Sequence, residues 1–314
     1  MPFSACLGLQ GIGYSQKMKH VLIPGSDHFY LSASFYQVER PKAAVQIIHG
    51  ASEYKGRYDV VARYLQDAGF AVLVSDLRGH GQSTDARFVR GFMPPLDVLV
   101  EDQHVITRFL QTACGDVPIV LLAHSFGANI ARLYLGKYDG DILAVVMSGA
   151  PFYVRGISLA MTLVRLFSLI LSPNGYLFFT SKLTTSASLA WACSDPVVIE
   201  ERRSDPYRKN FRYQIASILT IFDSVRHLHR WNAYTVANPS LPILFVSGSD
   251  DPIPGGRLGL LDSERSLRRI GYTDVTSTVF AHMRHEVLLE REKEVVFDLI
   301  ISCIQRAIAR GTQQ

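Results

Sequence analysis

The sequence predicts an α/β fold: an eight-stranded, mostly parallel sheet with helices on both faces and a mainly helical cap inserted after the sixth strand. Apolar, β-rich runs recur at about 18–24, 30–38, 43–49, 70–76, 118–123, 142–148, 242–248 and 274–280. The later runs are continuous rather than alternating, as in Ala44-Val45-Gln46-Ile47-Ile48 and Ile243-Leu244-Phe245-Val246, the pattern of strands buried on both faces of a parallel sheet. Helical stripes lie between them. Val98, Leu99, Val105, Ile106, Phe109 and Leu110 form one, and Phe126, Ile130, Leu133 and Tyr134 form another, each at the spacing of a helix face.

In chain order, the first two runs read as an antiparallel pair, and from the third onward strands alternate with helices, as layered α/β domains require. That regularity stops after Pro151. Residues 152–238 are mostly helical or irregular, and strand character resumes at Leu241-Pro242. The expected organisation is a core in two parts, 1–151 and 239–314, interrupted by a cap at 152–238.

The chain has 314 residues, 48% of them hydrophobic and 19% charged, enough to bury a large core and too apolar for disorder. Its formal charge of +4 comes without a long basic run or interleaved aromatics, so no nucleic-acid partner is expected. Cys6, Cys114, Cys193 and Cys303 lack metal-ligand or CxxC spacing and read as reduced, structural thiols. Met1-Pro2-Phe3-Ser4-Ala5-Cys6 lacks the pattern of a secretory signal, which predicts a cytoplasmic protein. Ile157 to Leu171, the most apolar stretch, is interrupted by Arg165 and falls short of the roughly 20 residues that span a bilayer. It reads as buried or interfacial.

The chemistry gathers at strand ends. Ala123-His124-Ser125-Phe126-Gly127 follows an apolar strand and opens a helix. Small residues two before and two after a serine permit the sharp turn that exposes its Oγ, though Ala123 stands where glycine is usual. A serine needs a base, a group to orient that base, and donors for the oxyanion, and open α/β sheets place these outside the carboxyl ends of their strands. The seventh run ends in Asp250-Asp251 and supplies the acid; the eighth is followed by His282 and His285 and supplies the base. The third ends in His49-Gly50-Ala51, so the oxyanion would be met by the backbone N–H groups of Ala51 and Phe126, the latter an unpaired first-turn donor.

Together, His49-Gly50-Ala51-Ser52-Glu53-Tyr54-Lys55-Gly56-Arg57-Tyr58, Asp76-Leu77-Arg78-Gly79-His80-Gly81-Gln82-Ser83, the serine pentapeptide, Gly248-Ser249-Asp250-Asp251 and Arg284-His285-Glu286 resemble the monoacylglycerol lipase and lysophospholipase branch of the α/β-hydrolases. The resemblance implies the α/β-hydrolase fold and a Ser125–His285–Asp251 triad, with Asp251 rather than Asp250 as acid and His285 rather than His282 as base. It implies ester hydrolysis without a metal or cofactor. Glu53 and Arg57 match the family's polar head-group site, whereas Leu288 stands where monoacylglycerol lipases carry a second histidine.

The expected substrate is therefore a single-chain lipid ester, a lysophospholipid or monoacylglycerol. Leu159, Met161, Leu163, Leu166, Phe167, Leu169 and Ile170 either cover the core or form an acyl-chain tunnel and a lip for peripheral membrane contact. The alternatives are an S33-type serine aminopeptidase, whose amine anchor would come from Asp195, Glu200, Glu201 or Asp205, and a non-catalytic ligand receptor or scaffold. His80 and His124 read as turn and packing residues. His227 and His229 lie without other ligands at metal spacing.

Overall fold

The structure, a computed structural model, describes residues 17–25, 27–172, 174–176, 186–209 and 211–311. Cys6 and the start of the chain lie outside the described residues. The eight strands are β1 (Met18–Pro24), β2 (Tyr30–Tyr36), β3 (Ala44–Ile48), β4 (Ala71–Ser75), β5 (Ile119–His124), β6 (Ala144–Ser148), β7 (Ile243–Gly248) and β8 (Val275–Phe280). They form one sheet in the order β1-β2-β4-β3-β5-β6-β7-β8. β2 is antiparallel to both of its neighbours, β1 and β4; every pairing from β4 through to β8 is parallel.

Every residue of β3, β4, β5, β6 and β7 is buried, because helices cover both faces there. One face holds α1 (Asp59–Asp67) and α8 (Lys293–Gly311), whose Val61, Leu65, Phe297 and Ile300 pack against Val45, Val72 and Val146. The other holds α2 (Leu96–Cys114), α3 (Phe126–Tyr138) and α7 (Gly256–Ile270), with Leu99, Ile106, Ile130 and Leu267 against Leu73, Leu121 and Phe245. Polar Gln46, an exception inside an apolar strand, is satisfied from α2: its amide donates to Gln103 O at 2.9 Å and it accepts from Thr107 Oγ1 at 2.7 Å. Such pairing is what makes a buried polar side chain tolerable.

Between β6 and β7 lie α4 (Ile157–Leu171), α5 (Pro196–Ser204) and α6 (Ile215–His227). The N-terminal end of α5 is set by Asp195, whose Oδ1 accepts from Val197 N–H at 2.9 Å, with Pro196 at the first helical position. Met161 of α4 is buried, while Leu159, Leu163, Leu166, Phe167, Leu169 and Ile170 are exposed, the last two above 80%. Of this apolar set, Met161 covers the core and the six others do not.

The Asp76–Ser83 loop is a structural knot. Lys55 Nζ reaches Asp76 Oδ2 at 2.6 Å and Ser32 Oγ at 3.0 Å, and buried Arg78 makes a two-pronged pair with Asp102 at 2.6 and 2.7 Å. Leu77 N–H donates to His49 Nε2 at 2.9 Å, which ties this loop to the residue that follows β3.

Candidate active site

Ser125 sits between β5 and α3 at φ 52°, ψ −120°, a conformation sparsely populated by L-residues that persists only when its surroundings enforce it. The enforcement is visible. Ser125 N–H donates to Ser148 O at 2.8 Å, and a Cβ on Gly127 would come within 2.4 Å of Ile48 O, so only glycine lets α3 begin this close to β3. Ala123, where the sequence departs from the usual glycine, is fully buried between Ile48 and Met147 in the neighbouring strands, and its methyl is accommodated.

His285 and Asp251 are brought together. His285 Nδ1 lies 2.9 Å from Asp251 Oδ2, both side chains being almost fully buried. The second Asp251 oxygen accepts from Ile253 N–H at 2.9 Å. Asp250 is exposed and takes a hydrogen bond from Ser249 Oγ; His282 is also exposed. The His285 ring packs over Gly149 and against the rings of His124 and Trp191, with centroids 4.7 and 5.1 Å away. Among the described residues no hydrogen bond joins Ser125 Oγ to His285, a contact that commonly tightens only with substrate in place.

The loop after β3 lies against the serine, since a Cβ on Gly50 would meet Ser125 Cβ at 3.1 Å. Gly50 N–H donates to Glu53 Oε2 at 2.9 Å, and Ser52 N–H donates to Tyr213 Oη at 2.5 Å. Between them, Ala51 N–H makes no hydrogen bond among the described residues, nor does Phe126 N–H at the start of α3. Two uncommitted donors therefore flank Ser125.

Glu53 and Arg57 face inward. Glu53 Oε2 also accepts from Tyr58 Oη at 2.7 Å; Arg57 Nη2 donates to Glu286 Oε2 at 2.9 Å, and Arg202 Nη1 donates to the other Glu286 oxygen. Burial pushes the Glu53 carboxyl up, but the neighbouring His124, Arg57 and Arg202 and the Tyr58 hydroxyl outweigh it and hold the group well below the usual carboxylate range. Leu288 is buried and borders, with Glu53, Arg57, Tyr58, His124 and Glu286, a void of about 10 Å³, barely the space of one water. Glu201 and Asp205 line a separate cleft of about 400 Å³ on the far side of Arg57. Glu200 pairs with Arg203, and Asp195 caps α5.

Trp191, Arg202 and Tyr213 are not singled out by sequence, because all three come from the segment between β6 and β7 and reach the core only through the fold. Their neighbours stitch it there: Glu286 N–H donates to Ala192 O at 2.7 Å, and Glu290 accepts from Ser194 N–H at 2.9 Å. Among the described residues no group of His, Cys, Asp or Glu is arranged to hold a metal, and no helix is long and apolar enough to cross a membrane.

Three histidines around the site are buried and neutral. Burial depresses His49, His80 to about 3 and His124 to about 4. In the unfolded chain each would accept a proton near pH 6.5, so the stability they contribute is complete above that value and is lost as pH falls below it. Between pH 6.5 and 5, before the carboxylates titrate, His80 and His124 are each expected to cost about 1 kcal/mol per pH unit, with His49 acting in the same direction. Melting temperatures recorded from pH 7.5 to 5 should fall progressively; a flat profile would contradict three buried neutral imidazoles.

The fold and the strand-end arrangement of serine, histidine and carboxylate define an α/β-hydrolase. More narrowly, the chain belongs to the serine aminopeptidase, S33 family, which it matches over residues 39–292. It is 28% identical to a monoacylglycerol lipase of Mycolicibacterium smegmatis over 84% of this chain and 88% of that protein. It is 29% identical to the monoglyceride lipase of Mus musculus over 96% of this chain and 95% of that protein. A carboxyl esterase from Bacillus coagulans superposes with a TM-score of 0.79 at 20% identity, covering 94% of this chain and all of that one. The chain lies on the monoacylglycerol lipase-like branch of the fold.

Proposed function

We propose that this carboxylic ester hydrolase cleaves single-chain lipid esters, a monoacylglycerol or a lysophospholipid, through Ser125, His285 and Asp251. The observation that carries the reading is a serine held at φ 52°, ψ −120° on a strand-to-helix turn beside an imidazole whose Nδ1 is tied to a buried carboxylate at 2.9 Å. Asp251 accepts from Nδ1–H, which leaves Nε2 unprotonated and able to take the Ser125 proton as Oγ attacks the ester carbonyl. The oxyanion would be met by Ala51 and Phe126 N–H. His285 then returns the proton to the leaving alcohol, and water releases the acyl chain by the same route.

In this reading residues 152–238 act as a cap, and the exposed face of α4, with Leu169 and Ile170 outermost, meets the lipid aggregate. Exposed apolar side chains in this number are costly in water and favourable at a lipid interface. The inward commitments of Glu53 and Arg57 and the apolar Leu288 favour tolerance of the head group over strict glyceride recognition. The acids that an aminopeptidase would need as an amine anchor are exposed or otherwise engaged.

The test is hydrolysis of monoolein, lysophosphatidylcholine, a soluble short-chain ester and an aminoacyl amide. Both lipids and the short ester should be cleaved, and the amide should not; cleavage of the amide alone would overturn the reading. Leu169→Glu/Ile170→Glu should lower the rate on aggregated lipid by about tenfold or more while leaving the soluble ester untouched. Equal loss on both would sink the interfacial role of α4.

A further inference from the structure

The Ser52 peptide groups next to the uncommitted Ala51 N–H are held from the insert, not from the core. Ser52 itself adopts φ 57°, a left-handed conformation that needs external support in a non-glycine residue. Its N–H donates to Tyr213 Oη at 2.5 Å, and its carbonyl accepts from Arg208 Nη1 at 2.9 Å. On the other side, Gly50 N–H is fixed by Glu53. The Gly50–Ala51 peptide, which carries the Ala51 N–H, is thus trapped between two anchored neighbours.

The anchor at Tyr213 has a direction. His80 Nδ1 lies 3.0 Å from Arg78 O, which can only accept, so Nδ1 bears the proton. His80 is neutral, and its Nε2, 2.9 Å from Tyr213 Oη, must therefore accept the tyrosine O–H. That leaves a lone pair on Oη directed to Ser52 N–H. The relay reads Ser52 N–H to Tyr213 O–H to His80 N–H to Arg78 O, every donor matched to an acceptor. It is rigidly mounted: Gly91 O accepts from Gln214 N–H at 3.1 Å and from Ser217 Oγ at 2.8 Å, while Gly91 N–H donates to Gly79 O at 2.9 Å.

We propose that Tyr213, oriented by His80 and assisted by Arg208, is a positioning residue that preforms the oxyanion donor of Ala51. The insert then completes the site as well as covering it. The Asp76–Ser83 loop gains a role in catalysis beyond holding its own turn. This rests on the serine-hydrolase reading, and the experiment separates the two.

Wild-type protein is first treated with a fluorophosphonate and the modified peptide mapped; failure to find Ser125 would defeat the underlying reading, not this one. Tyr213→Phe is then compared with wild type on the soluble short-chain ester and with a trifluoromethyl ketone, whose hemiketal places an oxyanion at the same donors. Expected is a fall in kcat of about 30-fold, below the roughly 100-fold or more for outright loss of a donor. KM should stay within about twofold, and ketone affinity should weaken in step with kcat/KM. Arg208→Met, which cuts only the carbonyl tether, should lower kcat in the same direction by about three- to tenfold, and it serves alone if Tyr213→Phe does not fold. Unchanged kcat in the folded variants, or a loss confined to KM with ketone affinity intact, would overturn the proposal.

Discussion

Ser125→Ala is expected to lower kcat for any ester the protein cleaves by about 10⁶-fold, leaving only the acceleration that substrate binding and the oxyanion donors supply by themselves. The size follows from the arrangement. The proposed path has one nucleophile, and the base that would serve it, His285, is tied to Asp251 at 2.9 Å. The change should leave the fold in place, because alanine keeps the Cβ and the positive φ is imposed by Ser125 N–H on Ser148 O and the close approach of Gly127 to Ile48. The melting temperature should therefore match wild type while kcat/KM, followed with a chromogenic ester, drops to the limit of detection. Retention of more than about a hundredth of the wild-type rate would mean that another nucleophile carries the reaction.

Much of this arrangement was legible before any fold was known, and the reason is local. The central strands are apolar at nearly every position, because helices cover both of their faces, so runs such as Ile243–Gly248 announce themselves. Residues that end such strands inherit a position at the site, which is how Ser125, Asp251 and His285 could be placed from sequence and family resemblance. The same logic fails for the segment between β6 and β7. Arg202 meets Glu286 across 84 residues, and Tyr213 meets Ser52 across 161; contacts of that span leave no periodicity. Glu53 illustrates the intermediate case. Its spacing from Arg57 is compatible with a pair on one helical turn, and the two do approach at 3.5 Å, but no sequence feature shows that its other oxygen holds Gly50 N–H. His80 likewise reads as a turn residue until Tyr213 is placed against it.

The choice between the adjacent acids gives the second large effect. Asp251→Asn should reduce kcat by about 10⁴-fold, whereas Asp250→Asn should stay within about twofold. Both oxygens of Asp251 act as acceptors, one for Ile253 N–H and one for His285 Nδ1–H. An asparagine retains one acceptor and presents a donor in place of the other. The backbone N–H of Ile253 cannot rotate away or change its protonation, so the amide oxygen stays with it and the NH₂ turns toward His285. The imidazole must then offer a lone pair at Nδ1, which moves its proton to Nε2, the nitrogen that has to accept from Ser125. The ring remains in place in the wrong tautomer, so the loss should appear in kcat with little change in stability. Asp250, exposed and, among the described residues, hydrogen-bonded through its side chain to Ser249 Oγ, has no such lever on the ring. Steady-state kinetics of the two asparagine variants, read beside their melting curves, decides the matter: a loss that follows Asp250 and spares Asp251 would transfer the role of acid to the exposed residue.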